Sequence, residues 1–364
     1  MSKRILDFHH QANRLFGRFL DINDYRDSAN GVYDAIIAHR QIEEDGEIEK
    51  LIKYCKKTTK IIVDITTESG QIEIFIDRFN KIINKHPYKF ILISDVPIKT
   101  TINCPVIDDY SLAFTSHLND SMPGRVYHHQ DGIKLQHGID SYNGSLRVQR
   151  LWLNWFFIEK FKRDVLPLNA QFNHYVNLGE GPKFNQEQFE NLLKKYLPKQ
   201  IQTAKELIYQ KQYINPPEND IDIANYNDLN HHQKTINIVS ENTVGNDMNR
   251  NDDSLHISFT EKTIKPFVRG QLPLIHSYTG LQSELRKMGF DLYDDFINHS
   301  YENETNSVKR LEMIVDEGKR LLYLDTEKYI AENQIRIYNN KKLCEELVNK
   351  GKNIIYNIIE NSIL

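Results

Sequence analysis

Several short stretches of this chain are apolar on consecutive rather than alternate positions, and this limits its fold more than any other feature. KIIVDIT at 60–66, KFILIS at 89–94, INIVS at 236–240 and LPLI at 272–275 leave little polar face for solvent. Strands of that kind are buried on both sides, as in a parallel sheet with helices packed on each face. Segments of helical period separate them. Gly46–Lys56 carries Ile48, Leu51, Ile52 and Cys55 on one face, and Gln71–Asn84 is a second such segment. A first strand at Lys3–His10 (KRILDFHH), a polar loop at Asn23–Asn30, a helix from Gly31 to Arg40 and a brief strand at Pro105–Ile107 complete the series. The first 130 residues therefore read as one Rossmann-like α/β unit.

The pattern starts again after residue 130. Strands are expected at Ile133–Tyr142, Phe172–Leu178, Ile236–Ser240 and Leu272–His276, with helices over Ser145–Arg163, Gln186–Tyr196, Lys262–Gly270 and Leu281–Met288. Val308–Leu322 and Lys341–Ile359 read as long helices. The second carries an apolar stripe through Leu343, Leu347, Ile354, Ile355 and Ile358 that suits packing against the fold. The stretch 198–230, with Pro216–Pro217, interrupts the alternation and reads as an insertion. The expected architecture is α/β: two Rossmann-like domains facing a cleft, with a helical C-terminus. Its divisions are 1–130, 131–335 and a terminal helix over 336–364. In such folds ligands sit at the carboxyl ends of the strands.

Composition removes several function classes. The 364 residues hold 46 Lys and Arg against 50 Asp and Glu, a formal charge of −4, so no global basic field marks a nucleic-acid binder. Three dispersed cysteines make neither a CxxC pair nor a zinc pattern, and they favour a reducing compartment. The opening MSKRILDFHHQANRL lacks a long apolar core, and no run approaches the ~20 apolar residues of a membrane helix. The expectation is a cytoplasmic protein with no signal peptide and no membrane span.

The most informative segment is Ser258–Asp295. Thr260 is placed to cap a helix whose first turn carries Glu261. Lys262 and Lys265 share a face, Pro266 is tolerated early in the helix, and Gly270 ends it before the LPLI strand. An acid and two bases at a helix amino terminus suit a ribose diol beside phosphates.

At TEKTIKPFVRGQLP (260–273) and LRKMGF (285–290), the chain resembles the C-terminal half of a group of glycosyltransferases common in phages and marine microbes. The TEK element is similar to that of the fucosyltransferases that use GDP-fucose. SYNGSLRVQR (141–150), NHYVNLG (173–179), IVSENT (238–243), FDLYDDFINHSYENE (290–304) and KRLEMI (309–314) extend the resemblance over about residues 133 to 320. Three departures stand out: His299 where Glu is usual, Ile264 where an aromatic is common, and His276 where the strand normally ends apolar. The resemblance implies the GT-B architecture, with a UDP- or GDP-linked sugar bound by the second domain and no metal required. It implies that Glu261 binds the ribose, that Lys262 supports that loop, that Arg147 and Arg150 hold the diphosphate, and that Glu241 orders the donor pocket; Lys265 is a candidate phosphate contact, or a salt-bridge or surface residue. The acceptor would be a surface glycan or a hydroxymethylated DNA base.

An inverting enzyme would need a base from the first domain. Asp64, Glu68 and Asp95, at or just past strand ends, and His10, at the end of the first strand, are the candidates. Asp220 and Asp222 form a lone DxD, the pair that holds manganese in the other glycosyltransferase architecture. The pairs His9–His10, His128–His129 and His231–His232 lack metal-ligand spacing. The Lys-rich stretch 194–211 suits a solvated surface or a track for an acidic acceptor. A non-catalytic nucleotide- or sugar-binding scaffold on the same fold is the alternative to an enzyme.

Overall fold

The computed structural model describes residues 5–7, 23–24, 33–39, 46–65, 72–86, 88–95, 97–98, 101–118, 134–143, 148–161, 171–176, 190–191, 193–195, 198, 234–241 and 259–363. Their contacts gather the chain into two units. Unit 1 is Met1–Val126 with His256–Glu261 and Cys344–Leu364; unit 2 is Tyr127–Leu255 with Lys262–Leu343. Both are mixed α/β with parallel sheets, and the C-terminal segment is helical.

Unit 1 contains β1 (Ile5–Asp7), β2 (Asn23–Asp24), β3 (Tyr33–His39), α1 (Glu47–Ile52), β4 (Cys55–Asp64), α2 (Ile72–Lys85), β5 (Lys89–Ser94), β6 (Val106–Asp108) and α3 (Ser111–Leu118). The six strands run parallel in the order β2-β1-β3-β4-β5-β6. Alternate residues feed two cores. Ile36, Ala38, Ile61, Val63 and Leu92 pack on one face with Phe75, Ile76 and Phe79 of α2. Ala35, Ile37, Ile62 and Ile93 pack on the other with Leu112 of α3 and with Ile355, Ile358 and Ile359 near the carboxyl end of the chain. Burial on both faces is the physical reason for the unbroken apolar runs.

The helix expected over Gly31–Arg40 is instead strand β3, which lies between β1 and β4. A short Ala- and Ile-rich run has no periodicity to separate a buried helix from a buried strand. Its neighbours favour the strand, since Ala35 and Ile37 complete one core while Ile36 and Ala38 complete the other. β4 also starts five residues before the expected Lys60, so Cys55 pairs with Tyr33 across a register shift.

Unit 2 contains β7 (Gln136–Asn143), α4 (Val148–Lys160), β8 (Gln171–Val176), β9 (Lys234–Ser240), α5 (Glu261–Arg269) from its second residue on, β10 (Leu272–His276), α6 (Leu281–Lys287), a 3-10 turn at Ser300–Asn303, α7 (Ser307–Leu321) and α8 (Thr326–Glu332). Its strands run parallel in the order β10-β9-β7-β8. Within the helix expected over 186–196, residues 190, 191 and 193–195 are helical. α7 lies close on this sheet because Gly318 has no side chain. A Cβ there would stand 2.9 Å from Ile238 Cδ1 and 3.3 Å from Ile139 Cδ1. The α5–β10 turn is equally tight. Gly270 has φ +72, closes the helix through Gln271 N–H to the Pro266 carbonyl at 2.9 Å, and has Ile337 packed over it.

α9 (Gln334–Ile358) carries the chain from unit 2 residues into unit 1 residues. Within unit 1 it is bound at several points. Thr115 Oγ1 donates to the Val348 carbonyl at 3.0 Å, and Lys350 Nζ donates to Asp109 Oδ2 at 2.6 Å. Gly351 permits this approach, since a Cβ there would lie 2.0 Å from Thr115 Oγ1 and 2.5 Å from the Ser111 carbonyl.

Gly351→Ala is therefore expected to lower stability by about 2–3 kcal/mol through overpacking. Gly46→Ala faces no atom within 4 Å but must hold φ +82, and is expected to lose only about 1 kcal/mol. Urea denaturation of the two variants checks the order, and equal losses would contradict the close approach of α9.

Candidate functional site

Both sheets contain the same four-strand order. Read from the second strand, unit 1 runs β2-β1-β3-β4 and unit 2 runs β8-β7-β9-β10. In each, the chain leaves the first strand to one side and the third strand to the other. Such a reversal opens a crevice at the carboxyl ends of the two strands, where doubly wound folds bind ligands. In unit 2 the crevice lies between β7 and β9. Right-handed crossovers in opposite directions put α4 and α5 on opposite faces, with their amino termini flanking it.

The side chains that close this edge are buried and joined. Gln149, in the first turn of α4, donates from Nε2 to the Glu241 carbonyl at 3.0 Å, and so spans the reversal. The Glu241 carboxylate, 0% exposed, accepts from the Thr263 backbone N–H at 3.1 Å and also from the Thr263 hydroxyl. Thr263 is the third residue of α5, so a carboxylate one strand away satisfies one of the helix's open N–H groups. Thr260 precedes α5 at the position expected of its cap, and Glu241 adds a bond to the Thr263 N–H from outside the helix. The Glu241 N–H donates to the His276 carbonyl at 2.9 Å, which ties β9 to β10.

His276 and Ser240 are paired in register at the ends of those strands. His276 is fully buried. Its Nε2 lies 3.0 Å from the Ser307 carbonyl, which only accepts, so Nε2 carries the proton. Nδ1 is then an acceptor, 3.4 Å from Ser240 Oγ. Burial first, and the nearby Arg310 second, push the imidazole down to about 3, so it stays neutral throughout the physiological range. Arg310, 2% exposed, donates from Nη2 to Ser307 Oγ at 3.2 Å. Its guanidinium is pushed down to about 10 by burial, against the pull of Glu304.

Several sequence-predicted residues lie on the elements that form this edge. Glu241 and Arg150 are 0% and 1% exposed, the latter in the first turn of α4. Lys265 is buried on α5 and Lys262 is half-buried there. Glu261 opens α5. Ile264 and His299, two of the departures, are buried; His299 bonds Tyr301 Oη at 2.7 Å and the Leu292 carbonyl at 2.9 Å. Arg147, Glu68, His10, the three histidine pairs, Asp220 and Asp222 lie outside the described residues, as does most of 194–211. Gln149, Thr263 and Arg310 escaped the sequence reading. Their only signal was position, in the first turns of helices that follow or face strand ends.

In unit 1, Asp64 ends β4 and pairs in register with Ile93, so Asp95 follows two residues further along β5. Both carboxyl groups are buried. Asp95 Oδ1 has no hydrogen-bond partner among the described residues. Desolvation first, and the charge of Asp64 second, raise Asp95 well above the usual carboxylate range.

Elsewhere in unit 2, an open groove of about 620 Å³ runs past Arg286, Asp294, His299, Glu302 and Arg320. Its arginines are ion-paired. Arg286 binds Asp294 at 2.6 Å and Glu302 at 2.8 Å, and Arg320 binds Glu317 at 2.6 Å. Among the described residues no group of three or more His, Cys, Asp or Glu side chains is placed to hold a metal ion. No described helix is long and apolar enough to cross a membrane.

No family model matches the chain, and no curated protein resembles it in sequence. A solved structure of apo OtsA superposes with a TM-score of 0.41 at 10% identity, over 95% of this chain and 76% of that one.

Asp95 yields a pH test. Its folded-state acidity is weakened, so the folded chain keeps a proton that the unfolded chain releases near pH 4. The stabilisation is complete below that pH and is lost as pH rises toward the folded value. Asp95→Asn imitates the neutral acid. It is expected to exceed the parent in stability at pH 7 by about 1 kcal/mol or more, with the gap closing toward pH 4. Thermal melts from pH 4 to 8 check this; a gap independent of pH would mean that Asp95 is ionised in the fold.

Proposed function

We propose that this chain is a nucleotide-sugar glycosyltransferase of GT-B type. It moves a sugar from a nucleotide diphosphate, UDP- or GDP-linked, to a hydroxyl acceptor, and needs no metal. One observation carries the reading. The buried Glu241 carboxylate holds the amino terminus of the helix bearing Glu261, Lys262 and Lys265 at the carboxyl edge of a parallel sheet, and Gln149 locks Glu241 from the other side of the strand reversal.

This arrangement suits the demands of the reaction. The acceptor hydroxyl gives its proton to a carboxylate or imidazole base, or to the departing phosphate, as its oxygen forms a bond to the anomeric carbon; the bond to the diphosphate breaks, and the diphosphate leaves with the electron pair. Charge therefore grows on the leaving group. Two helix amino termini and the cations Arg150, Lys262 and Lys265 supply a fixed positive potential without reorganising. Glu261, opening α5, is the residue we assign to the ribose hydroxyls. A surface glycan or a hydroxymethylated base would supply the accepting hydroxyl.

Thermal-shift measurements with UDP, GDP, TDP, CMP and their sugars, with and without manganese, test the proposal. One nucleotide is expected to raise the melting temperature without manganese, and Glu261→Ala to abolish that rise. No shift with any nucleotide would overturn the reading, and a shift only with manganese would overturn metal independence. Glu241→Ala strands both Thr263 donors and is expected to lower stability by about 2–4 kcal/mol, measured by denaturant titration.

A further inference from the structure

The groove of about 620 Å³ on unit 2 is lined from the last turn of α6, the last turn of α7 and the stretch 294–303 between them. None of its lining residues belongs to β7, β9, α4 or α5, so it is separate from the crevice at the strand reversal.

The stretch 294–303 is held stiffly. It follows Tyr293, whose φ of 60 is costly for an aromatic residue and is kept by Asn340 and Arg336. Asp294 accepts from Arg286 Nε at 3.0 Å and Nη2 at 2.6 Å, while Asp295 accepts from Arg336 and from Tyr329 Oη. The Asn298 N–H and the Arg320 guanidinium both bond the buried Glu317 carboxylate. Side chains already fixed by their neighbours lose little freedom when a ligand arrives.

The polar groups left over define the ligand. Asp294, Asp295 and Glu302 outnumber Arg286 and Arg320 in the lining, and both arginines are engaged by carboxylates, which disfavours an anion. A cation meets acid oxygens that already accept from Arg286 and Arg336. Five groups have no hydrogen-bond partner among the described residues: Arg320 Nη1, Asn298 Nδ2, the Ser300 hydroxyl, the Asn303 amide and Glu302 Oε1. Donors and acceptors are thus mixed along one groove. A hydroxyl both donates and accepts at one oxygen, and so suits such a lining better than a group of one kind. Half-buried Phe296, stacked on Tyr329 with ring centres 3.8 Å apart, adds an apolar part to the wall. A sugar ring presents the matching surfaces, hydroxyls at its rim and C–H groups on its faces. The volume is within the ~300–1,000 Å³ of small-molecule sites.

We propose that this groove binds a neutral, hydroxyl-rich ligand, a sugar unit of an oligosaccharide. The assignment stands apart from the donor reading, since a glycan-binding scaffold would use the groove in the same way.

The test titrates the full chain with neutral tetrasaccharides (maltotetraose, cellotetraose and tetra-N-acetylchitotetraose) and with charged ones, cationic tetraglucosamine and anionic tetragalacturonate. Saturation-transfer NMR reads the binding. At least one neutral tetrasaccharide is expected to bind with a Kd on the order of 1 mM, since hydrogen bonds in an open groove compete with water. That affinity should change less than about twofold between 50 and 500 mM salt, as for an uncharged ligand. Asn303→Ala, Ser300→Ala and Asn298→Asp are each expected to weaken it about two- to tenfold. Asn298→Asp keeps the acceptor for the Ser300 N–H and removes only the free donor. Glu49→Gln, on α1 of unit 1, should match the parent. Absence of binding by every neutral tetrasaccharide would overturn the proposal. So would parent-like affinity in all three groove variants, which would place the sugar elsewhere. Tighter binding of a charged tetrasaccharide, lost in the groove variants, would overturn the neutral ligand class. None of these outcomes bears on nucleotide binding, which the thermal-shift panel tests by itself.

Discussion

The second sheet's carboxyl edge depends on one buried carboxylate. Glu241 is without solvent, and a carboxyl group so placed is tolerated only where hydrogen bonds replace the lost water. Thr263 supplies two of them, from backbone and hydroxyl. The same two bonds fix where α5 begins. Gln149 then fixes the Glu241 backbone from α4, and His276 fixes it from β10. One residue, through its side chain to α5 and its backbone to α4 and β10, thus ties two helix amino termini and two strand ends. Any ligand that reads those termini reads a geometry set by Glu241.

The segment after α6 depends on a different tie. Tyr293 holds φ 60, a left-handed conformation rare for an aromatic residue. It is kept there by unit 2's part of α9. Asn340 accepts from the Asp291 N–H at 2.9 Å and donates to the Asp291 carbonyl at 2.8 Å and to Tyr293 Oη at 3.1 Å. Arg336 binds Asp291 at 2.5 Å and Asp295 at 2.7 Å, with its guanidinium 5.2 Å from the Tyr293 ring centre. These ion pairs are partly exposed and individually modest. The buried Asn340 bonds replace water that the Asp291 backbone has lost, so they are the firmer constraint.

The sequence disclosed the strands best where burial on both faces made the apolar run unbroken. β5 and β10 fall on the residues expected, and β9 extends the expected run by two residues at its start. It misled at β3, where Ala35–Ala38 is too short and too uniformly apolar for periodicity to decide, and the choice was made by neighbouring strands. α3 and α8 were missed. SLAFTSHL is nearly all buried and shows no polar face, while TEKYIAE is too short to show a period. At the edge of the second sheet, Glu241 and Arg150 were singled out through the resemblance, and both are buried. The partners of Glu241, Gln149 and Thr263, were not. An amide and a hydroxyl are ordinary helix residues until the strand order brings β7 and β9 together.

The two sheets share a strand order but not the chemistry at their carboxyl edges. In unit 1, β4 ends on Asp64 and β5 leads into Asp95, and these buried acids sit close enough for one to hold the other's proton in place. In unit 2, Arg150, Lys265 and Arg310 are buried as well as the acid Glu241, and burial keeps His276 neutral. Strand order creates a crevice at a topological reversal in either case. The residues placed there decide what it attracts. Buried acids at a sheet edge repel a diphosphate, whereas buried cations at helix amino termini attract one and keep their strength because water is excluded. The resemblance of the TEK segment and the burial of cations on the helices beside the β7/β9 reversal therefore fall on the same sheet.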